Sequence, residues 1–269
     1  TVASIAGAGN IVLASSQTLT AGDGNDKTLS GVMSGAGSYI KAGAGNIVLA
    51  SSQTLTAGDA NNKTLSGVIS GAGNYIKAGS GIQTLSASNT YTGTTQVSAG
   101  TLTVSGSGRL SDSTAVTVDS GATYNVAVSD TVASIAGAGN ITLGSNTLTS
   151  GGSDASTTFS GVISGTNGNI VKLGNGTLTL SGANTYTGTT AINAGDLTVS
   201  GSLHDSTAVS IASGADYNVN ASDTVASIEG AGNIVLASSQ TLTAGDANNK
   251  TLSGVISGAG NYIKAGSGI

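Results

Sequence analysis

The chain has few of the residues from which a globular core is usually built. Its 269 residues include no cysteine, proline or tryptophan, one phenylalanine and seven tyrosines, against 43 glycines. A single thick core is therefore excluded, because such cores depend on large side chains. The mean hydropathy of +0.19 is too high for a disordered chain. The composition predicts a long, thin core of small β-branched residues and leucine, repeated many times.

Charged residues are also scarce. They make up 8% of the chain, only eight residues are basic, and the net charge is −5. Because phosphate backbones are bound by clusters of lysine and arginine, we expect no nucleic-acid partner. No apolar run approaches the ~18 residues of a membrane span, and the opening TVASIAGAGN lacks the charged start of a signal peptide. We expect no membrane insertion in this stretch, and any targeting segments outside it.

Internal repetition is the strongest pattern in the sequence. The segment TVASI begins at Thr1, Thr131 and Thr224, and the 93 residues between the last two starts recur block by block. The first interval is longer because a 36-residue unit is duplicated in tandem, at 6–41 and 42–77. Residues 43–82 are identical to residues 230–269. We predict one continuous array over 1–269, with a super-repeat at 131–223 that restarts at 224, as part of a longer chain.

Each copy of the repeat reads as a series of short strands. Apolar and polar residues alternate in segments such as TLTV at 101–104 and TLTL at 177–180, which predicts half-buried strands. The GAG, SG and GN steps between them predict sharp corners, and no helical stripe is present. A sandwich or barrel would be disrupted by 36 inserted residues, whereas a solenoid accepts added coils. We predict an all-β, single-stranded parallel β-helix (β-solenoid) of about 14 coils of roughly 18–19 residues each, with five coils in the 93-residue repeat.

Two segments resemble a known family. Gly174–Gly201, GNGTLTLSGANTYTGTTAINAGDLTVSG, is similar to the passenger-associated transport repeat, or autotransporter-associated β-strand repeat, of large bacterial autotransporters. Its pattern is Gly-x-Gly-Thr-Leu-x-Leu, then Asn-x-Tyr-x-Gly-x-Thr, then Ala-Gly-x-Leu. A looser copy spans Gly79–Gly106, where Ile82 and Gln83 replace the Gly-Thr pair. The resemblance implies a right-handed parallel β-helix that is exported through the outer membrane, and it implies no catalytic residues.

Side chains suited to catalysis are few and scattered. His204 is the one histidine and Glu229 the one glutamate. His204 and Asp205 with a serine would supply the residue types of a triad, but the same site in the other copy reads Gly-Arg-Leu-Ser-Asp, which indicates a coil corner. The twelve aspartates occur mostly once per corner, unlike the carboxylate clusters of β-helical polysaccharide lyases and hydrolases. We predict no enzyme, and no catalytic, cofactor-binding or metal-binding residues.

Three further sets of residues suggest ligand binding, and each also has a structural interpretation. The segment GDGNDKTL resembles the nonapeptide of calcium-binding β-rolls and would place a metal at Asp23 and Asp26. Both other copies read GDANNKTL, so an Asx turn is preferred. Tyr91 and Tyr186 could stack on sugars, but packing over a corner is preferred. We expect the asparagines of the GAGN steps to form turns or a stacked amide ladder: Asn10, Asn46, Asn140 and Asn233.

Threonines on the solvent-facing side of the strands suggest the hypothesis of ice binding. They occur in TLT segments in under half of the predicted coils, whereas an ice-binding face needs that motif in nearly every coil. Threonine is also simply a good strand residue. The segments begin at Thr18, Thr54, Thr101, Thr147, Thr177 and Thr241.

The preferred function is structural and adhesive. We expect a secreted stalk at the bacterial cell surface that presents a polar, weakly acidic wall to host, matrix or glycans. Homotypic association, lateral or end to end, is expected because solenoid ends expose unpaired strand edges. The alternatives are a glycan-binding module, an ice-binding solenoid and a polysaccharide-degrading β-helix.

Overall fold

The chain folds as stacked short β-strands. The computed structural model describes residues 46–49, 51 and 53–268, together with the backbone of four strands nearer the N-terminus. No helix occurs in this part of the chain, and none is present there that could cross a membrane. Two compact units are distinguished, Thr1–Val132 and Ala133–Ile269. Each unit is a parallel β-solenoid, which confirms the predicted fold class.

The first unit is built from strands that pair in parallel, each with the strand that lies one turn further along the chain. One sheet has the order β2-β4-β6-β9-β11-β13, a second has β7-β10-β12-β14, and β5 pairs with β8 and β1 with β3. The strands are β1 (Ile11–Leu13), β2 (Thr18–Ala21), β3 (Met33–Gly35), β4 (Ser38–Lys41), β5 (Ile47–Leu49), β6 (Thr54–Ala57), β7 (Lys63–Leu65), β8 (Ile69–Gly71), β9 (Asn74–Lys77), β10 (Ile82–Leu85), β11 (Thr95–Val97), β12 (Thr101–Val104), β13 (Ala115–Val118), β14 (Thr123–Val126) and β15 (Asp130–Val132).

The second unit has the same construction. Its sheets have the orders β16-β19-β22-β24-β26-β29-β31, β18-β21-β23-β25-β28 and β27-β30-β32, and β17 pairs with β20. The strands are β16 (Ser134–Gly137), β17 (Asn140–Thr142), β18 (Thr147–Ser150), β19 (Thr157–Phe159), β20 (Ile163–Ser164), β21 (Asn169–Lys172), β22 (Thr177–Leu180), β23 (Thr189–Ile192), β24 (Asp196–Val199), β25 (Ala208–Ile211), β26 (Asp216–Val219), β27 (Asp223–Val225), β28 (Ser227–Gly230), β29 (Asn233–Leu236), β30 (Thr241–Ala244), β31 (Ile256–Gly258) and β32 (Asn261–Lys264).

The turns are longer than the sequence predicts. The shortest step pairs Asp216 with Asn233, 17 residues further along, and the longest steps are 22 residues, as between Ile234 and Ile256. The part of the chain that the structure describes has about 11 turns, whereas about 14 are predicted for all 269 residues. The physical reason is that a turn contains strands from three sheets and three corners, and the corners need more residues than 18–19 per turn allow.

The 36-residue and 93-residue repeats differ in how many turns they span. The 36-residue duplication adds two turns, because the equivalent strands β2 and β6 lie in one sheet with β4 between them. The 93-residue repeat is different: its equivalent strands β16 and β28 lie in different sheets of the second unit. That repeat therefore spans four full turns and part of a fifth, not five coils. Whether the two units form one unbroken array over 1–269 stays a prediction.

The core is a narrow column in which inward side chains stack from turn to turn. In β22, β24 and β26 the pairs Leu178–Leu197 and Leu197–Tyr217 lie in register, and all three side chains are buried. Each buried leucine or valine contributes about 1.5–3 kcal/mol by leaving water. Each turn adds a few such side chains to the narrow column. The stabilisation by apolar burial therefore accumulates turn by turn, as the composition predicts.

Two steric reasons explain why glycine occupies corner positions. Gly100 and Gly195 have φ of +63° and +60°, a region that disfavours other residues. Gly188 has another reason: a Cβ there would lie 2.3 Å from the carbonyl oxygen of Gly168 and 2.4 Å from Oδ1 of Asn169. The backbone of one turn thus contacts the turn below directly at Gly188.

Replacing Gly188 with alanine should therefore force adjacent turns apart. We expect Gly188→Ala to cost roughly 2 kcal/mol or more. Gly152→Ala is the matched control, since a Cβ there meets nothing within 4 Å, and it should change stability by less than about 0.5 kcal/mol. Hydrogen exchange of the β21 and β23 amides measures the difference, and equal protection in the two variants would contradict this packing.

Candidate functional site

The one histidine forms a corner. The Nδ1 atom of His204 accepts a hydrogen bond from the backbone N–H of Ser206 at 3.1 Å, and the His204 carbonyl accepts one from the N–H of Thr207 at 2.7 Å. The imidazole therefore closes a turn next to Asp205 instead of activating a serine. This geometry matches the corner that the sequence predicts.

Aspartates of the GDANN segments form Asx turns. Oδ1 of Asp59 accepts a hydrogen bond from the N–H of Asn61 at 2.7 Å, and Asp246 receives the same bond from Asn248 at 2.7 Å. Asp23 and Asp26, the calcium candidates, lie outside the described residues. Within the described ranges, no three His, Cys, Asp or Glu side chains come together as metal ligands would.

The tyrosines lie inside the solenoid. Five of them are fully buried: Tyr75, Tyr91, Tyr124, Tyr186 and Tyr217. Tyr91 bonds to the hydroxyl of Thr95, and the hydroxyls of Tyr186 and Thr190 are 2.6 Å apart. Burial raises the pKa of both Tyr91 and Tyr186. These tyrosines are therefore packing residues, as the sequence favours, and are not available to stack on sugars.

The asparagine of the Asn-x-Tyr motif ties three successive turns together. Asn184 is 3% exposed, and its Oδ1 accepts the N–H of Ile163 at 3.0 Å from the turn before. Its Nδ2 donates to the carbonyls of Gly182 and of Ser202 at 3.0 Å, the latter in the turn after. Asn89 makes the same three bonds, at 2.7–2.9 Å, in the first unit. The sequence pattern marks these residues but does not reveal this role.

Buried lysines serve a similar purpose. The ammonium group of Lys77 donates to the carbonyls of Ala78, Gly79 and Ala99 at 2.7–2.8 Å. Lys172 donates to the carbonyls of Leu173, Gly174 and Ala194 at 2.7–3.2 Å. Burial lowers the pKa of both lysines. Both lysines stand twelve residues before the motif asparagines Asn89 and Asn184.

The asparagines of the GAGN steps also connect turns. Oδ1 of Asn46 accepts the N–H of Val68 at 2.7 Å, and Oδ1 of Asn233 accepts that of Val255 at 3.0 Å. Asn10 lies outside the described residues. These two bonds run from one turn to the backbone of the next. Nδ2 of Asn233 also donates to Oδ1 of Asp216 at 3.0 Å, so its side-chain partner is a carboxylate and not the amide of the predicted ladder.

Two buried aspartates occupy equivalent corners. Oδ2 of Asp130 accepts the N–H of Leu110 at 3.1 Å and the hydroxyl of Tyr124, and Oδ2 of Asp223 accepts the N–H of Leu203 at 3.0 Å. Burial raises the pKa of each carboxyl to about 6. Each carboxyl thus bonds to a backbone amide at a corner of the turn before it.

The outer faces carry short columns of threonine. In the second unit Thr158, Thr179 and Thr198 lie in register, but Asn218 and Val235 continue the column. In the first unit Thr64, Thr84 and Thr103 are followed by Asn125. Such three-residue columns do not supply the long regular face that the ice-binding hypothesis requires.

A polar groove opens on the surface of the second unit. It has a volume of about 370 Å³ and is lined by Ser202, Leu203, Asp205, Ser222, Asp223, Thr224, Thr241 and Thr243. Asp223, 8% exposed, is the most buried polar residue in it. No aromatic side chain lines this groove, so a sugar would have no stacking surface there.

Comparisons with known proteins agree with this structure. A family model described as a passenger-associated transport repeat matches residues 76–104 and 170–199. Over 126 residues the chain is 39% identical to the adhesin BmaC autotransporter of Brucella suis biovar 1 (strain 1330). The aligned part is 43% of this chain and 4% of the length of the Brucella protein. No solved structure matches the chain at a significant level.

These similarities confirm the predicted resemblance to autotransporter passengers and the predicted secreted location at the bacterial cell surface. Both matched ranges begin upstream of the glycines at which the sequence pattern was placed, and they include Lys77 and Lys172. The matched ranges of this chain thus contain the buried lysine as well as the buried asparagine and tyrosine.

Removing the Asn184 side chain should destabilise the second unit. Asn184→Ala leaves the N–H of Ile163 without its partner, while the carbonyls of Gly182 and Ser202 lose one bond each and keep a backbone donor. We expect a loss of about 1–3 kcal/mol. Asn193→Ala is the control, because the Asn193 side chain is exposed and should contribute less than about 0.5 kcal/mol. Urea unfolding followed by circular dichroism gives both values. Similar midpoints would show that the motif asparagine does not hold the turns together.

The raised pKa values of Asp130 and Asp223 make stability depend on pH. The ordinary pKa of 3.8 applies to the unfolded chain and about 6 to the folded one, so folding strengthens proton binding. The stabilisation is full below pH 3.8 and is lost as pH rises through 6. We expect the free energy of unfolding to fall by roughly 1 kcal/mol per carboxyl between about pH 5 and 7.5. Urea titrations of wild type and of the Asp130→Asn, Asp223→Asn double variant test this, and the variant should show a smaller slope.

Proposed function

We propose that this stretch of autotransporter passenger is an adhesive spacer without catalytic activity. The observation that carries the proposal is the placement of the motif residues: Asn89, Tyr91, Asn184 and Tyr186 are buried. The two asparagines bond to the turns on either side of them. A segment whose family-motif residues all face the core is suited to the supporting role of a spacer. The similar Brucella protein is named an adhesin, which supports attachment as the purpose of that support.

Stiffness within each unit follows from the bonding pattern. Parallel ladders join each turn to the next, and the buried lysines and asparagines add side-chain bonds between turns. Bending a unit would break several of these bonds at once, each worth about 1 kcal/mol. A stiff body of this kind can hold a binding surface away from the cell envelope.

The outer wall favours many weak contacts. Because Lys77 and Lys172 are buried, two of the eight basic residues are removed from the surface, while Asp112, Asp154 and Asp205 are exposed. Asp130 and Asp223 are buried as well, so the wall keeps the weakly acidic balance of the net charge of −5. This balance supports a protein or matrix partner over nucleic acid. Homotypic association belongs to the same proposal, since flat ladders of threonine and asparagine can lie against one another.

Adhesion can be measured with beads that carry the purified chain. We expect such beads to be retained on matrix-coated or host-cell surfaces under flow several-fold more than beads coated with a non-adhesive protein of similar charge. Clumping of the beads without any surface would demonstrate homotypic association. Retention equal to the control, with no clumping, would refute the adhesive function and leave a passive spacer.

A further inference from the structure

An apolar face is open on the turn that contains β31 and β32. Four of the six large apolar side chains that are exposed among the described residues lie in this turn, with 37–64% of their surface accessible: Val255, Ile256, Tyr262 and Ile263. We call Val255–Lys264 the open face. Exposed apolar side chains that lie together indicate an interaction surface.

The open face has an identical copy in the first unit, within residues 43–82. In that copy Ile69 and Tyr75 correspond to Ile256 and Tyr262. Ile69 and Tyr75 are both 0% exposed, against 40% for Ile256 and 37% for Tyr262. The same chemical surface is therefore covered in one place and open in the other, and the first unit shows which segment covers it.

The covering segment in the first unit carries the Asn-x-Tyr-x-Gly-x-Thr motif. Oδ1 of Asn89 accepts the N–H of Ile69 at 2.9 Å, and the N–H of Thr90 donates to the carbonyl of Ile69 at 2.8 Å. The ring of Tyr91 lies against that of Tyr75, with centroids 6.3 Å apart. The motif thus fits this face by backbone bonds, a buried amide and an aromatic contact.

The residues after the motif complete the cover. The N–H of Tyr75 donates to the carbonyl of Thr94 at 2.8 Å, and strand β11 pairs in register with β9. The ammonium group of Lys77 donates to the carbonyl of Ala99 at 2.8 Å. Among the described residues, the equivalent Lys264 donates to two carbonyls of its own turn. The third acceptor is the one that a covering segment supplies.

An asparagine distinguishes the faces that the motif covers. Oδ1 of Asn74 and Oδ1 of Asn169 each accept the N–H of a threonine in a covering motif segment, at 2.8 Å. The duplicated unit has Ser38 at this position, and its strand β4 pairs with β6, which lies outside the motif. The open face has Asn261 there, so it carries the residue that goes with a motif partner.

We infer that the open face binds an unpaired passenger segment with the transport-repeat motif, which is laid against it as the next turn. Strand addition at an exposed sheet edge supplies the backbone bonds. A folded second copy is not the partner, because its own motif residues, such as Asn89 and Tyr186, are buried in its column. The partner is a segment that has not yet folded, and the open face is the template on which it folds.

This inference goes beyond the adhesive function. It concerns how one turn of the solenoid directs the folding of another, and not which surface the outer wall contacts. The most specific motif of the sequence then has a recognition role as well as a structural one: its asparagine and tyrosine select the face on which the segment settles.

The test is an amide NMR titration of the whole chain with a synthetic peptide of residues 86–104. We expect saturable shifts confined to the open face and slower hydrogen exchange of the Ile256 and Tyr262 amides. Asn261→Ser, which copies the residue at Ser38, should weaken binding at least fivefold. Asn193→Ser is the matched control, since the Asn193 side chain is exposed outside the open face, and it should bind as wild type does. Unchanged amide spectra away from the open face show that both variants are folded.

Three results would overturn the inference. The first is the absence of saturable shifts at the open face. The second is equal binding of a peptide in which the motif residues are changed, Asn89→Ala with Tyr91→Ala. The third is a set of open-face signals that move with protein concentration before any peptide is added, which would assign the face to a second copy. Bead retention does not bear on any of these, so the adhesive function and the template role can fail separately.

Discussion

Every turn of the solenoid buries polar groups that only the neighbouring turns can satisfy. A buried amide or carbonyl left without a partner costs about 1–3 kcal/mol, which is as much as one buried leucine or valine contributes. The side chains of Asn184 and Lys172 answer this constraint with three bonds each. The residues of the most specific motif in the sequence thus serve to join one turn to the next.

The need for hydrogen-bond partners in a neighbouring turn applies to each strand separately and not to the turn as a whole. Strands β16 and β28 have equivalent sequences but lie in different sheets, and both bury their serine and isoleucine. Each sheet offers a similar environment to a strand: a ladder to a neighbouring turn, the core on one face and water on the other. Duplication can therefore insert any segment that ends at a corner. The rule that growth occurs by whole turns is too strict for this molecule.

The sequence was sufficient for the fold class because period-two alternation and repetition are local signals. TLTL at 177–180 predicts a strand, and β22 occupies those residues. Turn length could not be predicted, because it depends on how many residues the corners take, and corners have no periodic signal. The role of Lys172 was missed for a related reason: a lysine in a strand is normally exposed, and only the carbonyls of Leu173, Gly174 and Ala194 in three dimensions make its burial favourable.

A repeat protein that uses its shared residues for structure has to place its specific contacts where the copies differ. Shared positions such as Asn89 and Asn184 have no freedom to change, since each holds three turns. Corner positions are freer: Arg109 in one copy is Ser202 in the other, and the surrounding hydrogen bonds from Leu110 and Leu203 are unchanged. Such a substitution alters charge and shape at the surface without disturbing the column of turns. Binding specificity in this solenoid is therefore to be sought in the mismatches between its repeats, not in the repeat motif itself.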